Sequence, residues 1–461
     1  MPGLFKEFSP VSAAAWKEQI TKDLKGTAFE SLLWKNADGI TIQPFYTVEN
    51  TDGKKTPLFS DPDWEIAVEL KHKNNTEINA AALKALSEGA SALFIEIHEQ
   101  TDLVQALNEV QAEYIVVNYV VKCSLQHFLQ KLEAYVHHNK FDSAKLRGAI
   151  VIDPLAHLLQ TGNWFKCQTA ELLELAELQK TKNNLHTLCI DAALYHNAGA
   201  TASFELACIL THAHELVVKC TENGTTATQL ENKIWIKLAV GPDFFLETAK
   251  LRALRKLWNL VAEQYGIQGQ LYIHCETSLL NNSILDAYNN MLRTTTEGMS
   301  AVIGGCDSLL VHAFDAVYKN ENNFSRRMAI NQQHILKEES YLNKVADIGA
   351  GSYYIETLTD QLAETAWAQF KNIESKGGWL ACVKAGFIQQ EIGTQAALLQ
   401  QNINEGKQTL LGVNKFPNPK ETIAEIEILE QVVKYGNTEV KPLEAIRLSK
   451  TMEQERLAVK H

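Results

Sequence analysis

The residues best suited to chemistry are histidines, carboxylates and hydroxyls that follow short apolar runs. Asp153, Asp191 with Tyr195 and His196, His274 with Thr277 and Ser278, and His312 with Asp315 all stand in such places. Side chains of these types suit proton transfer or the orientation of a substrate. No pair among them has a spacing that defines a reaction class, and polar residues at loop starts also serve to satisfy backbone groups. His212 and His214 lie two apart on a predicted helix and so project from different faces, which argues against a metal pair. Gly304-Gly305 and Gly349-Ala350-Gly351 match neither a phosphate loop nor a dinucleotide fingerprint and read as tight turns. Arg326-Arg327 could hold an anion, although a solvated helix start is the commoner origin of such a pair.

The elements that must position these groups follow a rhythm. Short apolar, β-rich runs occur at 65–70, 92–97, 114–120, 148–153, 187–191, 233–240, 271–274 and 308–312. Several are continuous, as expected of parallel strands covered on both faces. Helical patterns separate them at 80–88, 103–110, 125–137, 170–182, 203–218, 244–264 and 284–303. This alternation predicts an α/β fold, a (β/α)8 TIM barrel, with functional groups at the C-terminal ends of its strands. An N-terminal helical arm is predicted over 9–26, opened by Pro10 and striped by Trp16, Ile20 and Leu24. After the eighth strand come helices at 325–338, 358–376 and 391–401, then a polar tail over 417–461. The expected organisation is an arm for subunit contact (1–60), the barrel (61–380) and a C-terminal helical extension (381–461).

Composition narrows the function classes. The chain has 461 residues, 46 % of them hydrophobic, and a formal net charge of −12. An acidic balance gives no electrostatic reason to bind nucleic acid. The longest apolar run, 114–121, is too short to cross a bilayer, and the first residues do not read as a secretory signal. Eight cysteines without a Cys-x-x-Cys pair fit reduced thiols better than a disulfide framework or a zinc site, so a cytoplasmic protein is expected.

A series of ordered motifs resembles the methylmalonyl-CoA mutase family. Asp286-Ala-Tyr-Asn-Asn-Met-Leu-Arg-Thr-Thr-Thr-Glu297 is similar to that family's Asp-x-Tyr-Asn-Asn-x-x-Arg-Thr-x-x-Glu helix, and Gly304-Gly-Cys-Asp-Ser-Leu309 to its Gly-Gly-Thr-Gln-Ser-Leu. Phe244-Phe-Leu-Glu-x-Ala-Lys-Leu-Arg252, His274-Cys-Glu-Thr-Ser278, Arg326-Arg-Met-Ala-x-Asn-Gln, Lys337-Glu-Glu-Ser340, Gly351-Ser-Tyr-Tyr-Ile-Glu-x-Leu-Thr-Asp360 and Gly406-Lys-Gln-Thr-Leu-Leu-Gly-Val-Asn-Lys415 follow in the family order. The resemblance implies a barrel that threads the CoA arm of its substrate along its axis. It also implies an adenosylcobalamin cofactor that starts a radical interconversion of methylmalonyl-CoA and succinyl-CoA.

Departures from the catalytic pattern imply a small, non-catalytic subunit paired with a catalytic large subunit that holds the adenosylcobalamin; none is expected on this chain alone. No Asp is followed two residues later by the His of the family's cobalt-ligating Asp-x-His-x-x-Gly motif. The stretch from Thr56 to Trp64 lacks the family's Arg-x-Tyr-Ala-Gly-Phe. A substrate-contacting Arg and Ser of the family fall on Lys233 and Trp235, and an indole there would obstruct the tunnel. Tyr195-His196-Asn-Ala-Gly-Ala200 resembles the catalytic Tyr-His-Met-Gln-Glu-Ala-Gly-Ala but is two residues shorter, which leaves Tyr195 and His196 as vestigial candidates. Lys233, Trp235, His274, Thr277, Ser278, Asp307 and His312 are expected to face the substrate at the barrel mouth, and no metal site is expected. The alternatives are the substrate-binding half of a split mutase, able to bind an acyl-CoA, and a structural homo-oligomer. A homodimer of the isolated chain fits either the first reading or the last.

Overall fold

A computed structural model describes residues 9, 11–51, 58–71, 74–181, 183–320, 322–420, 426–427 and 436–459. Pro10, which was to open the arm helix, and the first residues of the stretch beginning at Thr56 lie outside them.

Eight parallel strands form the barrel: β1 (Glu65–Leu70), β2 (Ala92–Ile97), β3 (Val116–Val121), β4 (Arg147–Val151), β5 (Leu188–Asp191), β6 (Ile234–Val240), β7 (Tyr272–Thr277) and β8 (Ser308–Leu310). They neighbour one another in the order β4-β3-β2-β1-β8-β7-β6-β5. The ring meets between β4 and β5 through the Ala149–His186 bridge, where the Ile150 N–H donates to the His186 carbonyl at 2.8 Å. The predicted (β/α)8 barrel is present, and each expected strand falls within a few residues of an observed one.

Side-chain alternation splits each strand between two cores. Ile66, Val68 and Leu70 point outward with Leu93, Ile95, Val117 and Tyr119 against the helices Asn75–Ser87 and Leu125–Asn139. Ile190, Ile236 and Leu238 do the same on the other half, under the long helices Ala202–Glu222, Phe244–Tyr265 and Tyr353–Ser375. Each outer core is what a helix stripe and a strand face both need to bury. The intervening residues, Ala67, Ala92, Phe94, Ala149, Cys189, Trp235 and Leu310, face the bore and pack as a third, smaller cluster.

Several elements were not anticipated. Asp153 caps the helix Pro154–Thr161 by accepting from Ala156 N–H at 2.9 Å, and the short helix Ala193–Asn197 follows β5. The expected arm helix is confined to Ala13–Asp23, capped by Ser12, and buries none of its residues. The tail is not merely polar: residues 437–449 run back across the C-terminal side of the barrel. Val440, Leu443, Ile446 and Leu448 donate N–H groups to the carbonyls of Gly162, Leu159, Asn197 and Leu280 in turn, and the chain ends in the helix Lys450–Val459. Among the described residues no helix is long and apolar enough to cross a membrane.

Candidate functional site at the barrel mouth

The bore is filled at mid-height. Trp235 on β6 is fully buried and lies nearly parallel to the His274 ring on β7, with centroids 5.5 Å apart and 10° between planes. Phe94 on β2 wedges against both rings, at 6.1 Å from Trp235 and 4.5 Å from His274. Burial, with the positive charge of Lys237 adding to it, drives the His274 pKa down to about 3, so the imidazole is neutral and Nδ1 bonds Ser308 Oγ at 3.1 Å. Three aromatic rings therefore occupy the axis where the smaller residues of neighbouring strands leave room.

Above this plug the bore turns polar. Inward positions two residues further along the strands carry Glu69, Glu96, Asp191, Lys237 and Glu276. Lys237 Nζ lies 3.0 Å from Glu276 and 3.7 Å from Asp191. Burial opposes the Lys237 charge, but Asp191, Glu276 and Glu69 together outweigh it and raise its pKa. Burial likewise opposes the Glu276 charge, yet Lys237 and His312 hold that carboxyl down to about 2. Asp191 moves the other way: burial pushes its pKa up, and Glu276 and Asp153 add to the push against Lys237. His312 lies 3.9 Å from Glu276, its pKa lowered chiefly by burial. The sequence carried a signal for this layer on five of the strands, a charge at the second position beyond Ala67, Phe94, Cys189, Trp235 and His274.

The mouth proper is a web of hydrogen bonds. Thr277 Oγ1 accepts from the His312 N–H at 2.9 Å, and Ser278 Oγ meets His196 Nε2 at 2.9 Å. His196 Nδ1 faces Glu205 at 3.7 Å, and Glu205 with Glu247 grips the buried ammonium of Lys250 at 2.8 and 2.7 Å. Glu297 lies close by, fully enclosed, accepting from Asn281 Nδ2 at 2.8 Å; burial lifts its pKa to about 8. A buried Glu–Lys–Glu group is held by mutual neutralisation, and removing one member leaves an uncompensated charge.

These placements correct several expectations. His196, Thr277, Ser278 and His312 do sit at the mouth, while Trp235 and His274 lie deeper, in the bore. Lys233 and Asp307 are at the opposite end, because each precedes its strand rather than ending it. Lys233 Nζ donates to the carbonyls of Asn183 and Leu185. Asp307 accepts from the Ile273 N–H at 2.7 Å and from Arg255 at 2.8 Å, tying β7 to β8 at the foot. Tyr195 turns away from the bore into the helical layer, where its hydroxyl accepts from Trp379 Nε1 at 2.7 Å and bonds His212 Nδ1 at 3.0 Å. His212 then reaches Asp153 at 3.1 Å, so both of these residues serve packing. Lys250, Glu276 and Glu297 lie inside the family-like motifs but were not singled out as site residues, and Lys237 and Glu205 lie outside those motifs.

A parallel eight-stranded barrel with polar groups gathered at the C-terminal ends of its strands defines the class of (β/α)8-barrel proteins that work at the barrel mouth. Within that class, a model of the methylmalonyl-CoA mutase family matches residues 95–461. The chain is 33 % identical over 446 residues to the methylmalonyl-CoA mutase small subunit of Porphyromonas gingivalis, covering 90 % of this chain and 71 % of that one. It is 29 % identical over 486 residues to the methylmalonyl-CoA mutase of Cereibacter sphaeroides, covering 95 % and 68 %. The methylmalonyl-CoA mutase small subunit of Streptomyces virginiae is 31 % identical over 418 residues, covering 86 % and 68 %. The chain belongs to the methylmalonyl-CoA mutase family.

Proposed function

We propose that this chain is a non-catalytic subunit of a methylmalonyl-CoA mutase assembly in the cytoplasm, paired with a larger subunit that performs the isomerisation. The observation that carries the reading is the Trp235–His274–Phe94 plug, which occupies the axis along which an acyl-CoA arm would have to thread. The carboxylates above it, set round the ammonium of Lys237, also disfavour a polyanionic ligand. Tyr195, the vestigial catalytic candidate, faces the helices instead of a substrate.

The residues at the mouth do not fit a cobalamin either. His196 has Nε2 bonded to Ser278 and is buried, and His312 is only 12 % exposed and turned to Glu276, so neither presents an imidazole nitrogen outward as a cobalt ligand. The adenosylcobalamin of the assembly is assigned to the partner. A second reading, the substrate-binding half of a split mutase, draws on the position of His196 at the mouth beside Ser278.

Affinity capture from the source cells, followed by assay of the eluate with adenosylcobalamin and methylmalonyl-CoA, separates these readings. Conversion that requires a longer co-purifying chain, and is absent from this chain alone, supports the first. Conversion by this chain with only a cobalamin-carrying domain supports the second and overturns the first.

A further inference from the structure

One concave surface away from the bore is walled by aromatic rings. It is a groove of about 600 Å³ where the N-terminal region meets the starts of the helices Phe244–Tyr265 and Tyr353–Ser375. Its volume lies within the range of small-molecule sites. Phe45 and Tyr46 line one side, and Phe245, Tyr353 and Tyr354 the other. The Gln43 N–H donates to the Tyr46 hydroxyl at 3.0 Å, which fixes the segment carrying the two N-terminal rings. None of these side chains takes part in the plug or in the web at the mouth, and what the groove binds does not depend on the chain's place in an assembly.

Tyr46 stacks on Tyr354 with centroids 5.1 Å apart, and Phe245 meets Tyr354 at 59° with centroids 5.2 Å apart. The rings pack directly on one another, so they leave no parallel slot for a flat ligand. Their angles form a corner that suits a rounded one, and ring faces attract cations. Asp243 stands at the start of the helix that carries Phe245. Burial lifts its pKa to about 6, so it is ionised at neutral pH; its charged neighbours are Glu247 and Asp38, and among the described residues no lysine or arginine pairs with it. The two helix N-termini at the groove would favour an anion, but both are already satisfied. Asp243 accepts from the Leu246 N–H at 3.3 Å and Ser352 Oγ from the Ile355 N–H at 3.4 Å, while Glu247 and Glu356 occupy the first turns. Arg252, packed close to Gly349, is held by Asp347 and Glu356.

We infer that this groove binds a small free quaternary ammonium compound, its trimethylammonium group in the corner between Phe245 and Tyr354 and its charge answered by Asp243. A primary ammonium carries three N–H donors that need oxygen partners, and ring faces supply none. Methyl groups need no such partners and gain by burial against the rings, while the charge they carry is attracted to the ring faces. An anion would meet Asp243 instead.

Calorimetric titration of the whole chain tests this, with choline, phosphocholine and 3,3-dimethyl-1-butanol as the probes. Choline is expected to saturate one site with a dissociation constant of about 1 mM, suited to so few contacting atoms. Dimethylbutanol, which has the same shape without the charge, should bind at least about tenfold more weakly. Phosphocholine, whose phosphate would face Asp243, should also bind more weakly, which marks a free amine and not a lipid headgroup as the ligand. Phe245→Leu keeps apolar bulk but removes the ring face, and Asp243→Asn keeps a helix-capping oxygen but removes the charge. Each should weaken choline binding about fivefold or more, with circular dichroism confirming that both variants remain folded. Absence of saturable choline binding, equal affinity for the uncharged isostere, tighter binding of phosphocholine, or choline binding that survives both substitutions would each overturn the assignment.

Discussion

At the scale of single residues, the mouth depends on groups whose protonation the fold has reset. Glu297 is the clearest case. Its ordinary pKa of 4.5 is raised to about 8, first by burial and then by the charge of Glu247. Between those values the native carboxyl keeps a proton that the unfolded chain has lost. The native state therefore binds more protons, and stability falls as pH rises through that window, levelling once both states are ionised. Glu297→Gln keeps the shape and the neutral hydrogen bonding while removing the titration. Urea unfolding at about pH 5 and about pH 8.5 should show the wild type losing more stability than the variant across that interval. Parallel curves for the two proteins would mean that Glu297 is ionised in the native state.

At the scale of elements, the returning segment 437–449 closes over the ends of β4, β5 and β7. The contact is tight at Gly162, which caps the helix Pro154–Thr161 with φ +83°. A Cβ there would meet the Thr438 side chain at 2.6 Å and the Val440 carbonyl at 2.8 Å. Gly162→Ala thus combines a left-handed backbone position with a steric clash and is expected to cost about 1–3 kcal/mol. Most of that cost should appear as release of the segment. Limited proteolysis should cut the variant between residues 437 and 449 under conditions that leave the wild type whole. Unchanged protection would show that the segment is held by its other backbone bonds alone.

At the scale of the whole molecule, the N-terminal arm is the part with least reason to be stable by itself. Its helix Ala13–Asp23 buries no residue, and Trp16, tilted against Phe45 with ring centroids 4.2 Å apart, is still 47 % exposed. Trp34 and Val48 are exposed in the same N-terminal region. Large apolar side chains left open together suit a surface that a second chain covers. Trp16→Glu combined with Trp34→Glu should leave the thermal stability of the isolated chain within about 0.5 kcal/mol of wild type. The same pair should abolish capture of the partner chain and any self-association seen by light scattering. Undiminished capture would move the interface to another face of the barrel.

The periodic parts of the chain were legible from sequence, and the reason is local. Parallel strands covered on both faces must be apolar throughout, so runs such as 65–70 and 92–97 stand out and coincide with β1 and β2. The motifs around Asp286, Gly304 and Phe244 carried the family in the same way, as short stretches whose order can be read directly. That uniform apolar character hides which face of each strand is which. By periodicity alone Trp235 and Ile236 are equally plausible inhabitants of the bore; the resemblance pointed to Trp235, and the closed ring turns its indole inward against His274 and Phe94. Lys233 and Asp307 were misplaced because a residue beside a strand lies at the mouth or the foot according to the direction of travel through it. Tyr195 and His196 are adjacent in sequence, yet a helical turn sends one to Trp379 and the other to Ser278. The sequence determined the barrel and the family, since both rest on local pattern. Whether the axis is open, and which polar groups share the mouth, was decided by the tertiary structure, because those contacts join residues dozens of positions apart.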